Sequence, residues 1–247
     1  IKADGYANII VAVHTPIGAT AADAIYIDID AVSQGSGTLR DANSNMAKVT
    51  FTLTDGVLTV TKDADVNAAD AGQSITYTVS GSNAGSTPVY SVSMDGTDGP
   101  EVDSDGDATA DTVEGVIITD DLDDTLLDVG TDYGNVSFSN IAPARGVFLY
   151  WDDANDIYTS AKPTFDPSSE DARVALFIPD DDSVDAAGDS NSNEVLSVGQ
   201  SYTFSFDVNV NSDSSVVDGE TIINNAAGIY KPSSGGNKIE KTSNDTI

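Results

Sequence analysis

Residues 103–114 carry acidic side chains at the spacing of a calcium-binding loop. Ca²⁺ takes about six to eight oxygen ligands, and a loop of about 12 residues ending in a bidentate Glu can wrap one ion. The peptide carbonyl of Thr109 would supply a further ligand, but Ala108 occupies the position where such loops have Gly. The sequence predicts a Ca²⁺ site, with an acidic solvated loop as the alternative. The carboxylate ligands would be Asp103, Asp105, Asp107, Asp111 and Glu114.

Enzymatic chemistry has few residues to use. The chain has one His, His14, and no Cys, so it lacks the inventory for Ser/His or Cys/His nucleophiles and for histidine-based zinc sites. A pair of carboxylates could still support a glycosidase. However, the acids lie in loop contexts, and one Trp with 7% aromatic residues does not indicate a sugar-binding cleft. We therefore expect a protein that is not an enzyme and keep a carboxylate-pair hydrolase as a remote alternative.

The charge balance restricts the partners. Ten Lys and Arg face 41 Asp and Glu, giving a net charge of −31. Such a chain repels nucleic acid and anionic lipid surfaces, so we expect cations, neutral glycans, another surface protein or copies of itself as partners. We find no apolar window of about 18 residues that would span a membrane. The chain starts at Ile1 without a signal-peptide pattern, which we interpret as a processed extracellular or cell-surface protein.

The elements that must position these residues are strands. Apolar residues recur with period two along most of the chain, separated by Gly, Asp and Asn turn formers. This pattern predicts an all-β fold, an immunoglobulin-like Greek-key β-sandwich with an added N-terminal strand region. We expect an N-terminal strand segment at 1–55, a sandwich at 56–231 and a polar tail at 232–247. Acidic insertions at 95–114 and 180–194 interrupt the sandwich; the second fits no ligand spacing and is best interpreted as solvated.

Several motifs between residues 57 and 230 occur in a familiar order. Together they resemble the "DUF-eleven" domain, a β-sandwich repeat of unknown function in bacterial and archaeal surface proteins. The resemblance implies a sandwich that works outside the cell. The motifs are V-L-T-V-T-K-D-A-D at 57–65, A-G-Q-S-I-T-Y-T-V at 71–79, S-N-A-G-S-T-P at 82–88, G-V-I-I-T-D at 115–120, L-S-V-G-Q-S-Y-T-F-S-F at 196–206 and G-E-T-I-I-N-N-A-A at 219–227.

A covalent cross-link is the second candidate chemistry. Surface β-sandwiches sometimes join a Lys of the first strand to an Asn of the last by an isopeptide bond, with a buried acid as catalyst. Lys62 lies on the first strand of the resemblance, Asn224 and Asn225 lie on the last, and Asp120 lies on a strand between them. The alternative is a surface lysine and a pair of turn-capping asparagines.

The N-terminal segment 6–14 is a third candidate. Ala7, Ile9, Val11 and Val13 alternate on one face, and the other face is also largely apolar, so the strand should be buried on both sides. It could complete a sheet of the next subunit by strand addition, or it could be an ordinary strand of its own domain.

These features favour a self-assembling structural subunit of an extracellular filament or cell-surface matrix, stabilised by calcium. The alternative is a non-polymeric adhesin module that binds a glycan or a protein.

Overall fold

The computed structural model describes residues 24–27, 47–50, 55–122, 125–164, 172–180, 193–212 and 218–247. The chain divides into two compact units, Ile1–Leu53 and Thr54–Ile247. In the first unit, β1 (Ala24–Ile27) and β2 (Ala47–Thr50) form an antiparallel pair. Among the described residues, no helix is long and apolar enough to cross a membrane.

The second unit contains a five-stranded antiparallel sheet. Its strand order is β10-β15-β4-β3, and β9 pairs with the end of β15. The long pairing of β15 with β4 forms the centre of this sheet. The strands are β3 (Thr61–Ala64), β4 (Ser74–Ser82), β9 (Leu127–Asp128), β10 (Ser137–Ala142) and β15 (Ser201–Val210).

An eight-stranded sheet faces it. The order is β17-β16-β8-β13-β11-β12-β7, with β6 pairing with β8. The neighbours β12 and β7 are parallel, and the other described pairs of this sheet are antiparallel. Two short strands, β5 (Val89–Tyr90) and β14 (Glu194–Leu196), pair separately. The strands of the large sheet are β6 (Val92–Ser93), β7 (Glu101–Asp103), β8 (Glu114–Asp121), β11 (Val147–Asp152), β12 (Ile157–Thr159), β13 (Arg173–Pro179), β16 (Ile223–Tyr230) and β17 (Ile239–Thr246).

The core lies between the two sheets. Alternate side chains of β15, including Phe204 and Phe206, are fully buried against Ile118 of β8 and Leu176 of β13. Burying each such side chain stabilises the fold by about 1.5–3 kcal/mol. The predicted all-β sandwich is therefore confirmed, and period-two alternation is its cause.

A second apolar cluster covers the outer face of the large sheet. Ile117, Trp151 and Phe177 point away from the main core and pack against Met94 and Val102. The acidic insertion 95–114 therefore begins and ends in ordered structure, because its flanks cover a sheet face that would otherwise expose apolar side chains.

The C-terminal segment differs from the sequence prediction. Within the expected polar tail, Ile239–Thr246 forms β17, which pairs along the full length of β16. Most of its side chains are exposed, so the strand lacks the apolar alternation by which strands are recognised.

Candidate functional site

Three polar side chains meet in the core between the sheets. Lys62 comes from β3 of the five-stranded sheet, whereas Asp120 and Asn224 come from β8 and β16 of the eight-stranded sheet. Their exposed fractions are 5%, 0% and 0%. Each occupies an inward position of its strand, where the alternation otherwise places apolar residues.

The lysine and the aspartate form a direct ion pair. Nζ of Lys62 donates a hydrogen bond to Oδ2 of Asp120, and both side chains are 0% exposed. This pair links the edge of one sheet to the middle of the other.

Asn224 lies beside this pair, but the pair does not satisfy the hydrogen-bonding groups of its side chain. Asn224 is close enough to Asp120 to favour the ionised carboxylate. However, within the described chain neither Asn224 side-chain polar atom, nor Oδ1 of Asp120, makes a hydrogen bond of normal geometry. Each unsatisfied buried polar atom costs about 1–3 kcal/mol. Stability therefore does not explain why an amide occupies this position.

Aromatic rings and a close strand contact enclose the site. Nζ of Lys62 lies 4.4 Å from the ring centroid of Tyr77 and 5.2 Å from that of Phe206. A Cβ on Gly228 would lie 2.8 Å from Cδ2 of Leu58. The missing side chain at Gly228 thus lets the segment leading into β3 approach β16.

Burial shifts both titrating groups towards their neutral forms. Desolvation lowers the pKa of Lys62, although the charge of Asp120 opposes this. Desolvation also raises the pKa of Asp120, although the charge of Lys62 opposes this. Both shifts favour moving the shared proton from the amine to the carboxylate, which would leave a neutral amine, a nucleophile, next to a carboxylic acid.

This arrangement suits the formation of an amide bond. The neutral Nζ of Lys62 can attack Cγ of Asn224 while the protonated Asp120 donates to the amide oxygen. The C–NH₂ bond of Asn224 then breaks, the amine proton of Lys62 passes through Asp120 to the leaving group, and ammonia departs. Atoms and charges balance without an oxidant or a metal.

The structure separates the two candidate asparagines. Asn225 points to the opposite face of β16 and is exposed, so of the two candidates only Asn224 lies beside Lys62 and Asp120. It lines a cavity of about 280 Å³ on the outer face of the large sheet, together with Tyr158, Arg173 and Glu240. A shift of one residue along a strand reverses the face, and the sequence alone does not fix that register.

The acidic loop brings together only part of the predicted ligand set. Carboxylate oxygens of Asp103, Asp105 and Asp111 lie within 4.8 Å of one another. Glu114, the predicted bidentate ligand, instead accepts hydrogen bonds from Ser91 and Asn193. Asp107 is also outside the group; its Oδ1 accepts the N–H of Thr109.

Local hydrogen bonds already organise this loop. Asp103 accepts N–H bonds from Gly106, Asp107 and Ala108 and the hydroxyl hydrogen bond of Thr159. Burial alone would raise the pKa of Asp103, but these donors outweigh it and hold that pKa below its usual value. Ala108 adopts φ 67°, so this position does take the left-handed conformation that favours Gly. Three of the predicted carboxylates thus converge, fewer than the sequence predicted, and the calcium site stays a prediction.

The predicted self-assembly residues Ala7, Ile9, Val11 and Val13 lie outside the described residues, as does most of the second acidic insertion.

Tyr77 and Phe206 were not identified from sequence as parts of the site. The alternation of β4 and β15 marks both as inward-facing, but only the pairing of these strands beside β3 brings them to Lys62.

Comparisons with known proteins were made for the sequence and for the fold. No protein-family model and no curated protein matches the chain. The "DUF-eleven" resemblance therefore stays a prediction.

Several solved structures are similar to this fold at low sequence identity. The major pilin subunit BcpA of Bacillus cereus is 10% identical over 90% of this chain and 47% of that chain, with a TM-score of 0.37. Domains D2 and D3 of the major pilin SpaD from Corynebacterium diphtheriae are 10% identical over 76% and 51%, with a TM-score of 0.34. A collagen-binding domain from a Staphylococcus aureus adhesin is 13% identical over 76% and 95%, also at 0.34. The chain spans about half the length of the two pilin structures. Similarities of this size do not bear on what the chain does.

Proposed function

We propose that the chain is a structural module of an extracellular assembly whose β-sandwich is locked by an amide bond between Lys62 and Asn224, formed with Asp120 as the acid. The observation that carries this proposal is the fully buried Lys62–Asp120 pair beside an unsatisfied Asn224. A buried ion pair is weak evidence for stability, because desolvation offsets its attraction. A reaction between Lys62 and Asn224 better explains why these polar side chains are buried together.

The position of the bond supports a mechanical role. It would join β3, close to the start of the sandwich, to β16, the strand before the last one described. About 160 residues would lie inside the covalent loop, which on the loop-closure model stabilises the fold by about 5 kcal/mol. The chain has no cysteine, so this bond would serve where other extracellular proteins use disulfides.

Intact-mass spectrometry of the purified chain tests the bond. The native protein should be lighter than its sequence mass by about 17 Da, the mass of the ammonia released. Lys62→Met, Asp120→Asn and Asn224→Ala chains should each have the full sequence mass, whereas Asn225→Ala should still show the loss. A native chain at full sequence mass would refute the proposal.

Assembly into a filament or matrix is the further part of the proposal. The acidic surface and the apolar segment at 6–14 support a surface protein that adds this strand to a neighbouring copy. Electron microscopy of the chain with and without residues 1–15 tests it. Fibres formed by the full chain only would support strand addition, and fibres formed equally by both would contradict it.

A non-polymeric adhesin is the second candidate, and the cavity on the outer sheet face favours it. The cavity mixes hydrogen-bonding groups of Asn225, Thr242, Glu240 and Arg173 with the ring of Tyr158, a composition suited to a neutral glycan. A glycan array with the native chain and the Asn225→Ala variant would test this. Binding that survives the substitution would place any glycan elsewhere.

A further inference from the structure

Among the described strands, β3, which carries Lys62, has a ladder partner on one edge only. The N–H groups of Thr59 and Asp65, on either side of Lys62, donate to Ser82 and Thr76 of the neighbouring chain segment containing β4. Because successive amides of a strand point to opposite edges, the N–H group of Lys62 points away from β4. An edge strand of four residues held on one side only is a poor support for a reacting group.

Side chains of β17 occupy that free edge. The N–H of Lys62 donates to Oγ of Ser243 at 3.2 Å, and the N–H of Ala64 donates to Oδ2 of Asp245 at 2.7 Å. Oδ1 of Asp245 also accepts the N–H of Thr246 at 2.9 Å. Ser243 and Asp245 are half-buried, whereas their neighbours Thr242 and Asn244 are exposed.

The same strand is in register with the asparagine. β17 pairs with β16 along its length, and Asp245 lies directly opposite Asn224. Asp245 thus contacts β3, which carries Lys62, through its side chain, and it contacts β16, which carries Asn224, through its backbone. The contacts of this one residue fix the spacing between β3 and β16.

We infer that β17 is a positioning strand for the cross-link: Ser243 and Asp245 hold β3 against β16 so that Lys62 faces Asn224. This inference rests on the proposed Lys62–Asn224 bond. It also implies an order of events, because all three reacting residues precede β17 in the chain. The bond forms only after β17 has paired with β16.

The test measures the rate of ammonia loss as the full chain folds. Chains recovered unreacted in denaturant are diluted into buffer, quenched with acid at intervals and weighed by mass spectrometry, while Trp151 fluorescence reports folding. Ser243→Ala/Asp245→Ala should cross-link about ten- to thirtyfold more slowly than the native chain at the same degree of folding, since two positioning hydrogen bonds are lost. Asn244→Ala/Thr246→Ala, on the opposite face of β17, is the matched control and should react at the native rate.

Conservative variants separate positioning from charge. The negative charge of Asp245 raises the pKa of Lys62, so a purely electrostatic role predicts faster reaction when that charge is removed. Ser243→Thr/Asp245→Asn keeps an acceptor for the N–H of Lys62 and for the N–H of Ala64, and it gives up only the second oxygen of Asp245, which accepts from Thr246. This variant should react within about threefold of the native rate. The single Ser243→Ala variant should be slowed about three- to tenfold and covers the case in which the double variant does not fold.

The outcomes are distinguishable from those of the proposed function. A folded Ser243→Ala/Asp245→Ala chain that reacts at the native rate overturns the positioning role and leaves the bond in place. A native chain that folds and never loses ammonia overturns both.

Discussion

Lys62 and Asp120 form an ion pair with both side chains fully buried, and they belong to strands in different sheets. Replacing such a pair by apolar residues is often neutral or stabilising, whereas removing one partner is costly. The pair is surrounded by the rings of Tyr77 and Phe206, which suit an apolar replacement equally well. The proposed reaction with Asn224 would explain why this charged pair is buried between the two sheets.

The bond should account for a large share of the stability. Asn224→Ala removes the cross-link while deleting an amide whose polar atoms are unsatisfied, so the change isolates the covalent contribution. We expect the free energy of unfolding to fall by about 5 kcal/mol, the loop-closure value for this chain length. Urea denaturation followed by Trp151 fluorescence measures it. Asn225→Ala, one residue away and exposed, should change stability by less than about 0.5 kcal/mol; equal losses in both variants would contradict the assignment.

The uncross-linked pair should give a distinctive pH dependence. The pKa of Asp120 is raised above its ordinary value of 3.8, so its contribution to stability is lost as pH rises through the folded-state pKa. The pKa of Lys62 is lowered from 10.5, so its contribution is present above 10.5 and lost as pH falls through the folded-state pKa. The combined effect of these two groups should therefore make the Asn224→Ala chain least stable at intermediate pH.

The matched reference for this measurement is Lys62→Met/Asp120→Leu/Asn224→Ala, which lacks both titrating groups. Urea unfolding of both chains between pH 4 and about pH 10 gives the difference in free energy. We expect the difference to be largest near the middle of that range and to narrow towards both ends. A difference that is constant with pH would mean that neither pKa is shifted.

The sandwich could be predicted from sequence because apolar and polar side chains alternate along a half-buried strand. The apolar residues of β4 and β15 lie at every second position and point inward as expected. β17 could not be predicted in this way: it lies at a sheet edge, both its faces are largely polar, and its partners are backbone groups of β16 and β3.

The site was predictable in kind but not in detail. The strand order of the family resemblance places Lys62 on the first strand, an asparagine on the last and Asp120 on a strand between them. Which asparagine faces inward depends on strand register, and Ser243 and Asp245 act through the tertiary contact between two sheet edges. No local pattern encodes either feature.

The calcium hypothesis now makes a narrower prediction. Only Asp103, Asp105 and Asp111 converge, so Ca²⁺ should bind weakly and raise the melting temperature at millimolar concentration. Asp105→Asn should abolish this rise, whereas Glu114→Gln should leave it intact, because Glu114 contacts Ser91 instead. Thermal unfolding with Ca²⁺, Mg²⁺ and EDTA measures it. Equal melting temperatures in Ca²⁺ and EDTA would show that the loop needs no ion.

The backbone of the same loop offers a separate test. Ala108 has φ 67°, a conformation that costs a residue with a Cβ about 1 kcal/mol relative to Gly. Ala108→Gly should therefore stabilise the chain by up to about 1 kcal/mol. Gly106→Ala is the opposite change: φ is 79°, and the new Cβ would lie 3.0 Å from Oγ of Ser160, so we expect destabilisation. Urea unfolding in EDTA measures the change in unfolding free energy for both variants. If both changes had the same sign, the left-handed conformation at these two positions would be contradicted.

Force spectroscopy tests whether the bond shields the sandwich from load. The chain has no cysteine, so Asp55→Cys and Ile247→Cys provide unique handles at the two ends of the second unit. Stretching the cross-linked chain can release only the segments outside Lys62 and Asn224, roughly 110 Å at about 3.4 Å per residue. The Asn224→Ala chain should release the enclosed residues as well, roughly 650 Å in all. Asn225→Ala, which keeps the bond, should match the cross-linked chain. A long extension in the cross-linked chain would mean that the covalent loop does not bear the load, and the mechanical role would then be wrong even if the mass loss is observed.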